Sequence, residues 1–286
     1  MSPVKTIKTF RDLLSFLTII PLGGKEDFIF TTAENMWLFP LIGGFIGLLG
    51  AAYFVGSSVI VGFLLGLANS FVALPVEFLG TLIPAAMTIA FLSVITGLQH
   101  FDGLIDLGNA VGLRNVQDRK MKAHAWTVTN TGAVLALVVE FLAFAGLFLT
   151  NWLTLNITTN LFLVFSLIFL AEVSAKLSMV TIVWVGKPSH KGLGSIFLAK
   201  AKKKLNFAAY LISPLIVYPV FYFLGYPITG LAAIALVFAS IPVAYVMNKV
   251  SNSVFGGVSG DMIGATNEVA RAVVLVLFFA VVLVLL

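Results

Sequence analysis

Seven long apolar runs constrain this chain more than any other feature. They lie at about 37–65, 79–99, 132–150, 160–184, 207–224, 228–247 and 267–286. A helix needs roughly 20 mainly apolar residues to cross a bilayer. Inside lipid every backbone N–H and C=O must be satisfied within the chain, so each run reads as a helix. The first run is long and glycine-rich, which suits a kinked or tilted span. A re-entrant path for 66–78 is the main competitor to a count of seven. Composition agrees: 60% of the 286 residues are hydrophobic and 10% are charged, against roughly 45–50% and about 25% in soluble domains. The expectation is an all-α polytopic membrane bundle. Residues 1–286 are expected to form a single integral-membrane domain, with no repeat of fixed period.

The basic residues orient the bundle. Lys5, Lys8, Arg11 and Lys25 precede the first run. Arg114, Arg119, Lys120 and Lys122 lie in 100–131, and Lys187, Lys191, Lys200, Lys202, Lys203 and Lys204 in 185–206. Lys249 lies in 248–266. The connections 66–78, 151–159 and 225–227 hold neither Lys nor Arg, and the remaining two, Lys176 and Arg271, fall inside spans. Cytoplasmic loops of membrane proteins carry the excess of Lys and Arg. The alternation therefore predicts a multi-pass protein of the cell membrane with a cytoplasmic N-terminus and an external C-terminus. Residues 5–20 read as a short amphipathic helix lying in the interface rather than a cleaved signal. The net charge of +5 is small and gives no footprint for nucleic acid. The absence of cysteine excludes disulfides, thiolate metal sites and cysteine nucleophiles.

Three polar clusters share the basic side. The first is the run 97–109, containing Gln99, His100, Asp102, Asp106 and Asn109. On a helix, Asp102 and Asp106 stand one turn apart on one face. A pair of solvated acids is the plain alternative, but Gln99 on the same stripe and Gly103 between them favour chemistry. Mg²⁺ commonly takes one or two carboxylates and completes its shell with substrate phosphates and water. Downstream Arg114, Arg119, Lys120 and Lys122 suit a diphosphate, and His100 is either a base or a packing residue. The second cluster is Glu172 and Lys176, an i, i+4 ion pair inside a span, followed by Lys187, His190 and Lys191. These last also suit a plain positive-inside anchor. The Lys200–Lys204 run suits anionic lipid. The third cluster holds Gly256, Gly257, Gly260 and Gly264 around Ser259, Asp261, Asn267 and Glu268. It reads as a flexible turn, a tight helix contact, or a phosphate and metal site at a helix start.

Gln99-His100-Phe101-Asp102-Gly103-Leu104-Ile105-Asp106 resembles the His-x-Asp-Gly-Leu-x-Asp motif of the cobalamin synthase family, the adenosylcobinamide-GDP ribazoletransferases. The stretch from Gly257 to Glu268 resembles that family's Gly-x-Thr/Ser-Gly-Asp-x-x-Gly-Ala-x-Asn-Glu motif. Weaker matches at 16–21, 39–43, 121–122 and 192–197 follow in the family's order. The resemblance implies a membrane enzyme of late cobamide assembly. Such an enzyme joins α-ribazole or its 5′-phosphate to adenosylcobinamide-GDP and releases GMP with Mg²⁺. It implies Asp102 and Asp106 as metal ligands with Asp261 and Glu268 as partners, and His100 as base or orienting residue. Gln99, Asn109, Arg114, Lys122, Lys176, Lys187, His190, Lys191, Ser259 and Asn267 are the implied substrate-binding residues. The bilayer, a second copy of the chain and other cobamide-assembly enzymes are candidate partners. The chain departs from the family at Asn109, where an Asp is usual. Ala123 and His124 follow Lys122 where an acid and further polar residues are usual, and Lys176 stands where an Arg is common.

Two other readings compete. A CDP-alcohol phosphotransferase also uses paired aspartates, but Ile105-Asp106 stand where its Ala-Arg belongs and no later Asp pair follows. A cation-coupled transporter would use Asp102, Asp106 and Glu140, with polar groups at the midplane and paired halves.

Overall fold

The computed structural model describes residues 3–22, 28–123, 125, 127–156 and 160–285, with side chains from Thr6 onward. Lys25, His124 and the side chain of Lys5 lie outside the described residues. In chain order the helices are α1 (Pro3–Leu17), α2 (Phe28–Glu34), α3 (Phe39–Asn69), α4 (Val76–Ile95), α5 (Gln99–Ala110) and α6 (Val116–Ala123). They continue with α7 (Asn130–Leu153), α8 (Asn160–Val185), α9 (Leu193–Lys200), α10 (Ala208–Phe223), α11 (Pro227–Phe255) and α12 (Gly260–Leu285). Seven of them, α3, α4, α7, α8, α10, α11 and α12, are long and apolar enough to cross a membrane, two of them lengthened by a 3₁₀ turn at the start. This is the expected all-α bundle, and no strand occurs among the described residues.

Helix α8 is the axis. Every side chain from Ser166 to Val183 is buried, as expected of a helix that is apolar all round and carries no outward face. It packs against α3, α12, α11 and α10. Small residues permit the closest of these contacts. A Cβ at Gly43 would stand 2.5 Å from the Glu172 carbonyl oxygen, and one at Gly47 would stand 2.9 Å from Phe169 Cα. The outer helices turn large apolar side chains such as Phe63, Leu211 and Phe223 outward, where lipid covers them.

The boundaries correct the sequence expectation in two places and settle its main competitor. Helix α4 stops at Ile95 rather than running to 99, because Gly97 and Leu98 both take positive φ, 72° and 59°. Leu98 is the one non-glycine residue in that conformation among those described, at a cost of about 1–3 kcal/mol. The polar run thus forms its own helix, α5, and is not the tail of a span. The last helix begins at Gly260, not 267, so Asp261, Asn267 and Glu268 are helical. The segment 66–78 is not re-entrant: α3 continues to Asn69 and α4 starts at Val76.

The short helices gather at one end. Ile19 N–H donates to the Ile95 carbonyl at 2.8 Å, and Lys200 on α9 pairs with Glu34 on α2 at 3.0 Å. Arg119 on α6 donates to the Ser253 carbonyl at 2.9 Å near the end of α11.

Candidate active site

Helices α5 and α12 are pressed together at this end. A Cβ at Gly103 would overlap the Asp261 carbonyl oxygen, and one at Gly264 would meet His100 Cα at 3.1 Å. Glycine at both positions lets the two first turns touch. Ser259 caps α12: its Oγ accepts from Met262 N–H at 3.3 Å and donates to the Asp261 carboxylate at 3.2 Å. Ser259 therefore aims Asp261 and is itself buried. The preceding loop is stitched to the segment after α8. Val258 N–H donates to the Lys187 carbonyl at 2.7 Å, and Ser189 N–H to the Val258 carbonyl at 3.1 Å. Lys120 ties α6 to the same segment through the Ser189 carbonyl at 2.8 Å.

Two cavities open on either side of Asp102 and Asp261. One, of about 310 Å³, is lined by Asp102, Asp106 and Asp261 with Ile105, Ala123, Thr127 and Val128. The other, of about 330 Å³, has an aromatic and aliphatic wall of Phe16, Phe39, Met179, Leu193 and Phe197. Gln99, His100 and His190 join Asp102 and Asp261 as its polar groups.

The acidic cavity is short of positive charge. Among the described residues none of the three aspartates forms an ion pair. Burial, and then the Asp261 charge, pushes the Asp102 carboxyl above its ordinary value. The same causes, with Asp102 added, push Asp106 up to about 7. Both shifts are what crowded carboxylates do when no cation neutralises them. The donors are all hard oxygens, which suits Mg²⁺. Among the described residues no group of three His, Asp or Glu side chains is placed to hold a metal ion by itself, so a cation here needs ligands beyond these carboxylates. The aspartates share a cavity and leave room for oxygens from elsewhere.

Seven residues beyond Asp261 on α12, Glu268 has the opposite surroundings. It forms an ion pair with Arg271, and the Nδ1 of His100 stands 3.6 Å away. It also accepts from Asn267 at 3.1 Å. Arg271 Nε donates to Glu172 at 2.5 Å. Lys176 donates to Asn267 at 2.7 Å and sits 3.7 Å from Glu172, the i, i+4 pair expected from sequence. Glu172, Lys176, Asn267, Glu268 and Arg271 are all buried. Glu268, expected as a metal partner of the aspartates, and Lys176 and Asn267, expected as substrate contacts, belong to an internal charge network and line neither of the two cavities. Arg271, which sequence reasoning left without a role, is its centre. The available signal was charge balance, since the spans hold three carboxylates, Glu140, Glu172 and Glu268, and only Lys176 besides Arg271 to offset them. Glu140 on α7 also feels Glu268 and Arg271, so it lies with this network and not with Asp102 and Asp106.

His100 bridges the two regions. It is buried and lines the aromatic cavity. Burial lowers its pKa, with Glu268 pulling the other way and Lys176 adding to the decrease. The imidazole is therefore neutral at pH 7, with Nδ1 directed to Glu268.

Asn109 bonds to the segment that leads into α7. Its Nδ2 donates to the Thr127 carbonyl at 2.7 Å. Its Oδ1 accepts from Thr129 N–H at 2.9 Å and Thr129 Oγ at 2.7 Å. It pins the start of α7, with one amide N–H and the carbonyl oxygen engaged there. Of the basic residues implied as substrate-binding, His190 lines the aromatic cavity, while Arg114, Lys122, Lys187 and Lys191 line neither of the two cavities. Gln99 is exposed at the aromatic one.

Fold and site together define a polytopic helical membrane protein with a carboxylate-lined site at one end. The chain belongs to the cobalamin-5-phosphate synthase family, whose sequence model matches residues 9–60 and 55–279. It is 30% identical over 280 residues to the adenosylcobinamide-GDP ribazoletransferase of Methanosarcina barkeri, covering 94% of this chain and 90% of that one. It is 32% identical to those of Halorubrum lacusprofundi, covering 94% and 95%, and Archaeoglobus fulgidus, covering 91% and 92%. No solved structure matches.

Proposed function

We propose that the chain is the transferase that joins α-ribazole, or its 5′-phosphate, to adenosylcobinamide-GDP. A hydroxyl oxygen of the acceptor forms a bond to the phosphorus next to the cobinamide arm. The bond from that phosphorus to the GMP oxygen breaks, and GMP leaves with the electron pair. The hydroxyl proton passes to a base. The observation that carries this reading is the pair of adjoining cavities, with three unpaired carboxylates in one and a neutral, buried histidine in the other.

Asp102, Asp106 and Asp261 would hold Mg²⁺, with phosphate oxygens and water completing the shell. Bound there, the ion supplies positive charge to the diphosphate as its charge redistributes in the transition state. Asp261 is aimed by Ser259, and Asp102 and Asp106 are held by α5 against α12. His100 takes the hydroxyl proton at Nε2 while Glu268 holds its Nδ1 side; a positioned base of this kind contributes about 10²–10⁴-fold. Glu172 and Arg271 fix Glu268 and so fix His100.

The Lys and Arg alternation supports placing this end of the bundle, and the N-terminus, in the cytoplasm. Both substrates then reach the site from the water side. The reading is tested with purified protein in liposomes given adenosylcobinamide-GDP, α-ribazole 5′-phosphate and Mg²⁺. Wild type should form cobamide, and Asp102→Ala and Asp106→Ala should lose it. Undiminished product from both variants would sink the site assignment.

A further inference from the structure

The two cavities differ in lining, and the two substrates differ in which one brings the hydroxyl and which one brings the diphosphate. We infer that the aromatic cavity between α1, α9 and α12 seats the aromatic base of the acceptor nucleoside, leaving the acidic cavity to the diphosphate. This rests on the transferase reading and adds to it which substrate lies where. Phe16 and Phe197 have ring centroids 5.1 Å apart at 33°. Phe39 and Phe197 are 6.3 Å apart. Met179 and Leu193 complete the wall, whereas the apolar residues of the acidic cavity, Ile105, Ala123 and Val128, include no aromatic ring. A planar heteroaromatic base stacks on such a surface and needs little hydrogen bonding to stay there.

His100 decides the direction. It lines the aromatic cavity and not the acidic one. The group that must give up a proton is the acceptor's hydroxyl, so the acceptor belongs on the His100 side. The diphosphate has no proton to lose and needs cation-bearing oxygens, which Asp106 adds on the far side. Asp102 and Asp261 border both spaces, so the attacked phosphorus lies between them. Gln99 and His190, the other polar side chains of the aromatic cavity, are in place for the acceptor's ribose and phosphate.

The test is steady-state kinetics in lipid nanodiscs with Phe197→Ala and Leu193→Trp. Phe197 is buried and Leu193 is 43% exposed, so the second variant obstructs the mouth without emptying the core. Both should raise KM for α-ribazole 5′-phosphate about tenfold or more, the scale of one base–aromatic stack. KM for adenosylcobinamide-GDP should stay within about twofold, given that contacts in the other cavity are untouched. A rise in the adenosylcobinamide-GDP value instead would put the guanine in this cavity and overturn the assignment. Acceptor KM unmoved in Leu193→Trp, with wild type active, would overturn it too and leave the transferase reading standing. No product from wild type would overturn both.

Discussion

Asp261 and Glu268 lie two turns apart on one face of α12, yet they end in opposite electrostatic worlds. Asp261 shares a cavity with two more carboxylates and no cation. Glu268 is enclosed by Arg271 and His100 and by the Asn267 amide. The chain supplied its own counter-charges in the core, where an unpaired charge is costly. It left them out at the end of the bundle. One set of acids therefore holds the fold together, and the other is left to hold something that arrives from outside.

The comparison breaks most easily at Arg271. Arg271→Met strands Glu172 and Glu268 in the core, and removal of one partner from a buried pair costs about 3–5 kcal/mol. The expected result is loss of the folded protein, read as yield and melting temperature in detergent. Asp106→Asn should do the reverse. It removes repulsion from the cavity, so melting temperature should hold or rise while cobamide formation falls at least about 100-fold, the effect of losing a preorganised charge contact.

Asn109→Asp comes next. The substitution restores the residue usual in the family but removes the donor to the Thr127 carbonyl and sets a carboxylate oxygen against it. It should cost about 1–3 kcal/mol of stability with no gain in turnover; a large rise in rate would show that Asn109 is a depleted ligand site after all.

The smallest effect is the pH dependence of the metal-free protein. The Asp106 pKa rises on folding from 3.8 to about 7. Protonation then favours the folded state: the contribution is complete below the unfolded value and is gone above about 7. Melting temperature without metal should therefore decline as pH rises from about 5 to about 8, less so in Asp106→Asn. Mg²⁺ should restore most at the high end, where Asp106 is ionised. A pH slope identical in the two proteins would remove Asp106 from the account.

The spans were legible because lipid demands long apolar runs and tolerates few other solutions. The breaks were not. Leu98 looks like part of a span, and its left-handed backbone is visible only when Gln99 has begun a new helix. The glycines at 256–264 read equally as a turn or a tight packing surface, and both are present: the turn ends at Ser259, and Gly264 lets α5 in. Asp102 and Asp106 carried their helical spacing in the sequence. Glu268 did not carry its fate, because that depends on Glu172 far earlier in the chain. Asn109 looked like a missing charge; its partners, Thr127 and Thr129, lie across a loop that no helical periodicity connects to it.

The central claim is that the cation site is made by the three aspartates and not by the internal network. It is tested most directly by titrating Mn²⁺, a paramagnetic substitute for Mg²⁺, into nanodisc-embedded protein with GDP present, followed by electron paramagnetic resonance. The account expects bound Mn²⁺ in wild type and in Glu140→Gln, and its loss in Asp106→Asn. Full retention in Asp106→Asn, or loss in Glu140→Gln alone, would contradict it.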